Sequence, residues 1–321
     1  MAASRNSRSP DLTARLGAYL VAAAPTGTLC VAFSGGRDSA ALLHAASRLA
    51  LGERLRALHV HHGISPHADA WAEHCAAFCA ERQVRLDIVR VEVERDSPLG
   101  LEAAARIARY EAFAACGSEA MLLAHHRDDQ AETVLFNLLR GAGVAGAAGM
   151  PGERCWRGFR LLRPWLDVAA AEIAAYAAVV GLHWIDDESN TDPAFSRNFL
   201  RHRALPLLRE RFPAASAALA AAAAHFAEAD ALLAETAAED WRRCADGEAL
   251  RLPDLRHMSP ARLKNLLRWR LRKLGWRAPA AVRLDEFVRQ LRECGPEGRP
   301  RLDLPDGCLC LKRRRLCWLR R

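Results

Sequence analysis

Apolar positions along this chain switch repeatedly between two spacings: short continuous runs, and stretches in which they recur every three or four residues. Leu12, Leu16, Tyr19 and Leu20 recur at helical spacing, so residues 11–23 read as a leading helix. Residues 29–33 form an apolar run of strand length, and a helical pattern follows from Asp38 to about Leu49. Residues 55–60 read as a second strand, and 66–82 as a helix with Ala70, Trp71, His74, Ala77 and Phe78 on one side. The alternating, β-branched stretch 84–93 reads as a third strand, 101–116 as a helix, 121–124 as a short buried strand and 128–140 as a helix. Strands alternating with helices of this length predict an α/β fold, a Rossmann-like parallel sheet with helices on both faces. Three of the four strands end in polar clusters: Ser34-Gly35-Gly36, His61-His62-Gly63 and His125-His126-Arg127-Asp128-Asp129. Ligands of such sheets lie at the carboxyl ends of the strands, which places a nucleotide site there.

The pattern changes further on. Residues 141–152 are rich in Gly and Ala with almost no charge, and read as a mobile loop close to the site. Leu161 to Leu166 lead into a helix over 168–180, and Asp186, Asp187 and Glu188 gather three acids before Asn198. From Pro213 the chain becomes nearly all alanine, a strong helix former, and the helical pattern runs to about Trp241 as a connecting helix. Beyond it, a basic helix over 260–274, a second over 280–293 and strands near 301–304 and 308–319 make a small α+β module. The expected division is a nucleotide-binding catalytic domain over 1–212, a helical linker over 213–245 and a small basic domain over 246–321.

Composition narrows the partners. The 321 residues are 51% hydrophobic, ample for a core, and carry a net charge of +8, which suggests a polyanionic partner. The basic residues cluster at Lys312 to Arg315 with Arg320 and Arg321, and at Arg197, Arg201, Arg203, Arg209 and Arg211. Nucleic acid is favoured over a membrane, because no apolar run comes near the ~20 residues of a spanning helix. Residues 1–10 lack the apolar stretch of a secretion signal, and ten scattered cysteines read as reduced thiols, so a cytoplasmic location is expected. No C-x-x-C pair occurs.

Two constellations carry chemistry. A strand that turns through Gly35 and Gly36 into a helix N-terminus presents unpaired N–H groups and a favourable dipole to an anion. Ser34 and Ser39 add hydroxyls, and Asp38 beside a polyanion suits a divalent cation between them. The loop is not G-x-x-x-x-G-K-[ST], so it is not a Walker loop. In the second, Asp129 and Glu132 stand three apart at the opening of a helix and share a face, while Asp128 falls on another. They could bind a metal, a cationic substrate or both, but the spacing matches neither H-E-x-x-H nor a Cys/His zinc pattern.

Ser34-Gly35-Gly36-Arg37-Asp38-Ser39 resembles the PP-loop of the ATP pyrophosphatases. His61-His62-Gly63, Gly100-Leu101-Glu102 with residues 105–110, the run H-H-x-D-D-Q-A-E-T-V-L-x-N-L-L-R-G-A-G from His125, Arg163-Pro164, residues 184–190 and Arg197-Asn198 are together similar to the tRNA(Ile)-lysidine synthetase family. The likeness covers roughly residues 25–212, and the last module resembles the first C-terminal tRNA-binding domain of longer members, which carry a second. It implies a two-step reaction on the wobble cytidine of an isoleucine tRNA with a CAU anticodon. ATP adenylates the cytosine O2, releasing pyrophosphate, and the ε-amine of free lysine then attacks C2 and displaces AMP.

On this reading Ser34, Gly35, Gly36, Arg37, Asp38 and Ser39 hold the triphosphate, with Mg²⁺ on Asp38. Arg106, Arg109 and His125 complete the ATP site, a solvated surface position being the other reading of each arginine. Asp129 and Glu132 bind lysine and unload its amine, so the catalytic set is Asp38, Arg106, His125, Asp129 and Glu132. Arg197, Arg201, Arg313, Arg314 and Arg315 are expected to contact tRNA. Asp186 and Asp187 are further candidates that a loop cap explains equally well, and His61 and His62 are also read as closing a strand end. Monomer and homodimer both stay open. The alternatives are a tRNA thiolase, which usually needs the absent paired cysteines; an amide synthetase, which would not need the basic module; and a non-catalytic RNA-binding protein, which would leave the loop unused.

Overall fold

The central strands are apolar on both faces, and their alternation sets two cores. In β1 (Leu29–Ala32) Leu29 and Val31 face one core, with α1 (Leu12–Ala23), α2 (Arg37–Ser47) and α3 (Ala68–Glu81), whereas Cys30 faces the other. Leu55 and Ala57 of β2 (Leu55–His61) follow the first, and Leu58 the second. The second core is closed by Phe113 of α4 (Leu101–Ala115), which follows β3 (Arg85–Arg90). These facts come from a computed structural model that describes residues 11–94, 96–97, 100–186, 196–295 and 297–320, the side chain of Glu102 excepted.

Next come β4 (Ala120–Leu122), α5 (Arg127–Leu139), α6 (Val144–Ala147), β5 (Glu153–Trp156), β6 (Phe159–Leu162) and α7 (Ala170–Val179). The sheet order is β3-β2-β1-β4-β6-β5, parallel except for edge strand β5. This is the parallel α/β sheet the pattern predicts. From β1 the chain moves outward to β2 and β3, then returns to place β4 on the other side of β1, with Leu29 opposite Ala120 and Val31 opposite Leu122. The loops leaving β1 and β4 therefore flank a topological switch point, where open α/β sheets hold ligands. After α7 the first unit continues through α8 (Ser196–Phe199), a wide i→i+5 turn over Leu200–Ala204, and α9 (Leu205–Arg211).

The β5–β6 hairpin was not expected. Its two-residue turn, Arg157-Gly158, has φ of 45° and 87°, the primed geometry that suits strand twist. The expectation of a mobile loop over 141–152 is corrected. That stretch contains α6 and is tied to α5: Gln130 Nε2 donates to the Met150 carbonyl (3.0 Å), the Met150 N–H donates to Gln130 Oε1 (2.8 Å), and Asn137 Nδ2 donates to the Gly146 carbonyl (2.8 Å). Small residues here permit close packing, with Ala147 and Met150 buried.

The chain divides into two compact units, Met1–His225 and Phe226–Arg321, the division falling inside α10 (Ala215–Cys244). That helix is long and apolar enough to cross a membrane, which corrects the expectation that no run comes near that length. Most of its apolarity is alanine methyls, and a single such helix is weak evidence of a span. The second unit builds an antiparallel sheet in the order β7-β8-β11-β10-β9 from β7 (Ala245–Asp246), β8 (Ala249–Arg251), β9 (Arg301–Leu304), β10 (Gly307–Lys312) and β11 (Arg315–Arg320). Leucines of α11 (Leu252–His257), α12 (Pro260–Leu274) and α13 (Ala281–Glu293) pack with the sheet in one core. The single strand expected over 308–319 is two strands: Arg313 and Arg314, at φ 47° and 59°, turn the chain back in a conformation usually left to Asn and Gly.

Replacing Gln130 with Leu should expose how firmly the 141–152 stretch is held. It leaves a buried N–H and a buried carbonyl of Met150 unpaired, at ~1–3 kcal/mol each. Denaturant unfolding should show a loss of about 2–6 kcal/mol, together with faster proteolysis within 141–152. Unchanged stability and cleavage would show the two bonds to be dispensable.

Candidate functional site

The turn after β1 is braced from within. Ser34 Oγ and Ser39 Oγ lie 3.0 Å apart, the Gly36 N–H donates to Ser34 Oγ (3.3 Å), and Ser39 Oγ donates to the Gly36 carbonyl (2.9 Å). Gly35 is at φ 86°, and a Cβ there would come 2.7 Å from Ile185 Cδ1, so the turn needs glycine on both counts. Gly36 caps α2 with no side-chain partner for the helix N–H groups, so the first turn of α2 presents free donors for an anion.

Asp38, in that first turn, is flanked by cations. Arg37 Nε donates to its Oδ1 (2.9 Å), and His126 Nε2 lies 3.5 Å from its Oδ2. Burial alone would raise the Asp38 pKa, but His126 and Arg37 bring it below the ordinary value. His126 is the N-cap of α5: its backbone N–H donates to Asp129 Oδ2 (3.0 Å) and its Nδ1 accepts from the Asp129 N–H (3.2 Å), a capping box. Burial would lower the His126 pKa, but the bond to Asp38 and the carboxylates of Asp129, Asp38 and Asp128 raise it instead.

The carboxylates of α5 diverge as their spacing requires. Asp128 accepts from the Ala170 N–H at the start of α7 (2.9 Å) and from Arg209, which also donates to Ser216 Oγ (2.6 Å). Asp129 and Glu132 face Arg201 together. Arg201 Nε donates to Glu132 Oε1 (2.7 Å), and its Nη2 donates to Glu132 Oε2 (2.9 Å) and Asp129 Oδ1 (2.7 Å). Glu132 is 3% exposed, and burial raises its pKa while Arg201 opposes the rise. A cavity of about 450 Å³ opens among Asp38, His126, Asp128, Glu132, Arg201 and Arg209.

Beside this acidic group lies a cationic one. Burial and the charges of Arg163, Arg106 and Arg197 push the His125 pKa down to about 3, and its buried Nδ1 has no partner. Arg106 donates to Tyr110 Oη (3.1 Å) and lies over that ring. Arg109 lies 3.4 Å from His62 Nε2, and burial together with Arg109 lowers the His62 pKa to about 4. Arg197 Nη2 donates to Thr133 Oγ1 (3.5 Å). The loop residues 34–39, Asp129, Glu132 and Arg201 thus meet around one switch point, with His125 in the same segment.

His61 pairs with Asp69 (3.2 Å) and Asp186 accepts from Trp184 Nε1 (3.1 Å), while Asp187 lies outside the described residues. In the second unit, Arg256, Arg299, Arg301, Lys312, Arg313 and Arg314 line a cavity of about 670 Å³, whereas Arg315 is bonded to Asp246. Sequence reasoning placed His126 in a strand-end cluster, Arg163 in a family motif and Arg209 in a basic cluster, but gave none of the three a role. A polar residue with an acid three positions on is a cap signal that marks His126; nothing in local spacing marks Arg163 or Arg209.

Among the described residues no group of three or more His, Cys, Asp or Glu could hold a metal on its own. One carboxylate beside a phosphate loop does fit magnesium, which is usually held by one or two carboxylates together with substrate phosphates.

Residues 10–208 match the PP-loop domain family and residues 250–317 the TilS substrate binding domain. The chain is similar to the tRNA(Ile)-lysidine synthase of Aromatoleum aromaticum, 49% identical over 307 residues, covering 93% of this chain and 70% of that protein. It is also similar to that of an Azoarcus species, 46% identical over 303 residues, 92% of this chain and 66% of that protein. It therefore spans about two thirds of their length. The U34-tRNA thiolase NcsA of Methanococcus maripaludis shares the fold, with a TM-score of 0.56 over 67% of this chain and 78% of that one at 15% identity.

The Asp38–His126 pair carries a pH signature. His126 titrates above its ordinary 6.5, so its stabilisation is fully present below 6.5 and fades as pH rises through the raised value. Asp38 titrates below its ordinary 3.8, so its share is present above 3.8 and fades as pH falls through the lowered value. The difference in melting temperature between the wild type and His126→Asn should be largest between pH 3.8 and 6.5 and shrink as the pH rises through the raised His126 value. A difference independent of pH would remove the ionic pair from the account.

Proposed function

This chain belongs to the tRNA(Ile)-lysidine synthase family, and from that premise we propose that it joins lysine to the wobble cytidine of an isoleucine tRNA with a CAU anticodon, using ATP. The observation that carries the reading is that Arg37 and Asp38 of the Ser34–Ser39 loop share one cavity with Glu132, and that His126 links Asp38 to Asp129. A phosphate site and an ammonium site side by side are what a two-step adenylation and amine transfer requires. A thiolase of the same fold would need a nucleophilic sulfur. Cys75, whose Sγ lies against Gly35 of the loop, is buried and pushed up to about 12, which leaves it unreactive.

In the first step the cytosine O2 attacks the α-phosphorus of ATP and pyrophosphate leaves. The free N–H groups of α2, with Ser34, Gly36 and Ser39, receive the phosphates, and Arg37 adds positive charge beside them. Asp38 would hold Mg²⁺, which when bound offsets charge on the departing pyrophosphate. Arg106, Arg109 and His125 form the cationic side of the ATP site, where His125 stays neutral and its unpartnered Nδ1 can bond the nucleotide. In the second step the neutral ε-amine of lysine attacks C2 and AMP leaves. Asp129 and Glu132 receive the ammonium, and Glu132, whose pKa burial raises, takes its proton. Arg197 lies near the pair to meet tRNA, and Arg313 and Arg314 grip it from the basic cavity of the second unit. A tRNA substrate and free lysine place the protein in the cytoplasm.

Pyrophosphate release is measured with ATP and Mg²⁺, adding tRNA, lysine or both, alongside nucleoside mass analysis. Release should require the CAU-anticodon isoleucine tRNA, and its cytidine should gain the mass of lysine. A sulfur-mass shift would move the assignment to the thiolases. Asp129→Ala should spare pyrophosphate release and cut lysine transfer by at least about tenfold; equal loss of both would deny it a lysine-specific role.

The tRNA contacts have their own readout. Each lost phosphate contact flattens the log–log salt dependence of binding by about 0.7–0.9. Arg313→Gln with Arg314→Gln should therefore reduce the slope by about 1–2, whereas Arg315→Gln, already paired with Asp246, should change it least. An unchanged slope in the double variant would turn this cavity away from RNA.

A further inference from the structure

Resting on the assignment of Asp129 and Glu132 to lysine, we infer that Arg201 is a resident cation in the lysine position, and that phosphate arriving at the Ser34–Ser39 loop draws it off. Arg201 donates to three carboxylate oxygens, Glu132 Oε1, Glu132 Oε2 and Asp129 Oδ1, at 2.7–2.9 Å. An ammonium has three donors and seeks the same three acceptors. The Glu132 side chain is 4% exposed and each of its oxygens already accepts from Arg201, so the open approach to it is the one Arg201 now fills. A buried carboxylate pair without a cation would be strongly disfavoured, so the empty site keeps one of its own.

Two features suit Arg201 to exchange rather than to permanent pairing. Its side chain is 40% exposed, unlike that of Glu132, and it sits on the i→i+5 turn Leu200–Ala204, an irregularity that recurs where helices serve a site. It also shares its cavity with Asp38, the acid of the phosphate loop, whose charge it feels. A triphosphate there offers a planar guanidinium stronger bidentate partners than Asp129 does. Arg201 is thus a positioning residue that orders the reaction: nucleotide enters first, and lysine binds to the pair that nucleotide has freed. The ordering protects the adenylated base, because lysine is admitted when there is something for it to attack.

Lysine binding to the full chain is measured by calorimetry, with and without a non-hydrolysable ATP analogue and Mg²⁺, for the wild type, Arg201→Gln and Arg201→Lys. In the wild type the analogue should tighten lysine binding about tenfold or more, within the usual range of coupling between sites. In Arg201→Gln, lysine alone should bind as tightly as it does to the analogue-loaded wild type, and the analogue should add less than about twofold. Arg201→Lys, a cation without the planar fork, should fall between them; it decides the matter alone if the glutamine variant does not fold, an unchanged coupling overturning the inference. Lysine that binds the wild type equally in both states, or binds Arg201→Gln more weakly, also overturns it. Asp129→Asn separates the underlying assignment: if it leaves lysine affinity unchanged in both states, the pair is not the lysine site, whatever Arg201 does.

Discussion

A carboxylate taken out of water needs a cation at hand, and Glu132 imposes that condition on the whole first unit. It is met by Arg201, which also binds Asp129; Asp129 is tied to His126, His126 to Asp38, and Asp38 to Arg37. The chain of alternating charge runs from the wide turn after α8, across the start of α5, to the start of α2. Buried ion pairs do little more than offset their own desolvation, but removing one partner strands the other at a cost of about 3–5 kcal/mol. The network therefore contributes less to net stability than to position. It fixes how the β1 loop, the head of α5 and the turn at Arg201 approach one another, and Asp128 with Arg209 does the same for α7.

That arrangement depends on the sheet. Because β4 returns beside β1, the two loops that carry the chemistry leave neighbouring strand ends, and a bond from His126 to Asp38 becomes possible across 88 positions of sequence. The strands and helices themselves could be read from their spacing, as could the phosphate loop and the shared face of Asp129 and Glu132. The adjacency of β1 and β4 could not, since alternating strands and helices are compatible with more than one strand order. Arg201 lies 69 residues from Glu132, and nothing in its surroundings separates it from the other arginines nearby.

The remaining misreadings share one cause: local composition was taken for local conformation. Gly and Ala over 141–152 suggested motion, but small side chains also let a segment pack closely enough for Gln130 and Asn137 to reach its backbone. Arg313-Arg314 hid a hairpin because two arginines in left-handed geometry carry none of the usual turn residues. The strain they accept, of order 1–3 kcal/mol each, puts both guanidinium groups at the tip of the hairpin lining the basic cavity. That is the kind of cost a binding surface bears and a plain turn avoids.

His125 and His126 show how the site keeps opposite charges apart within a few ångströms. Consecutive residues leaving a strand point to opposite sides, so neighbouring imidazoles enter different surroundings. His125 meets Arg106, Arg163 and Arg197 and is held neutral; His126 meets Asp38, Asp128 and Asp129 and is pushed toward its charged form. One dipeptide thus stands on the boundary between a cationic half, suited to nucleotide and RNA phosphate, and an anionic half, suited to an ammonium. A reaction that brings a polyanion and an amine to one carbon atom needs that boundary, because either charge alone would draw the wrong partner into both halves. Alternation at the end of β4 supplies it without further elements, and the Asp129 carboxylate, accepting from the His126 backbone N–H, then ties it to α5.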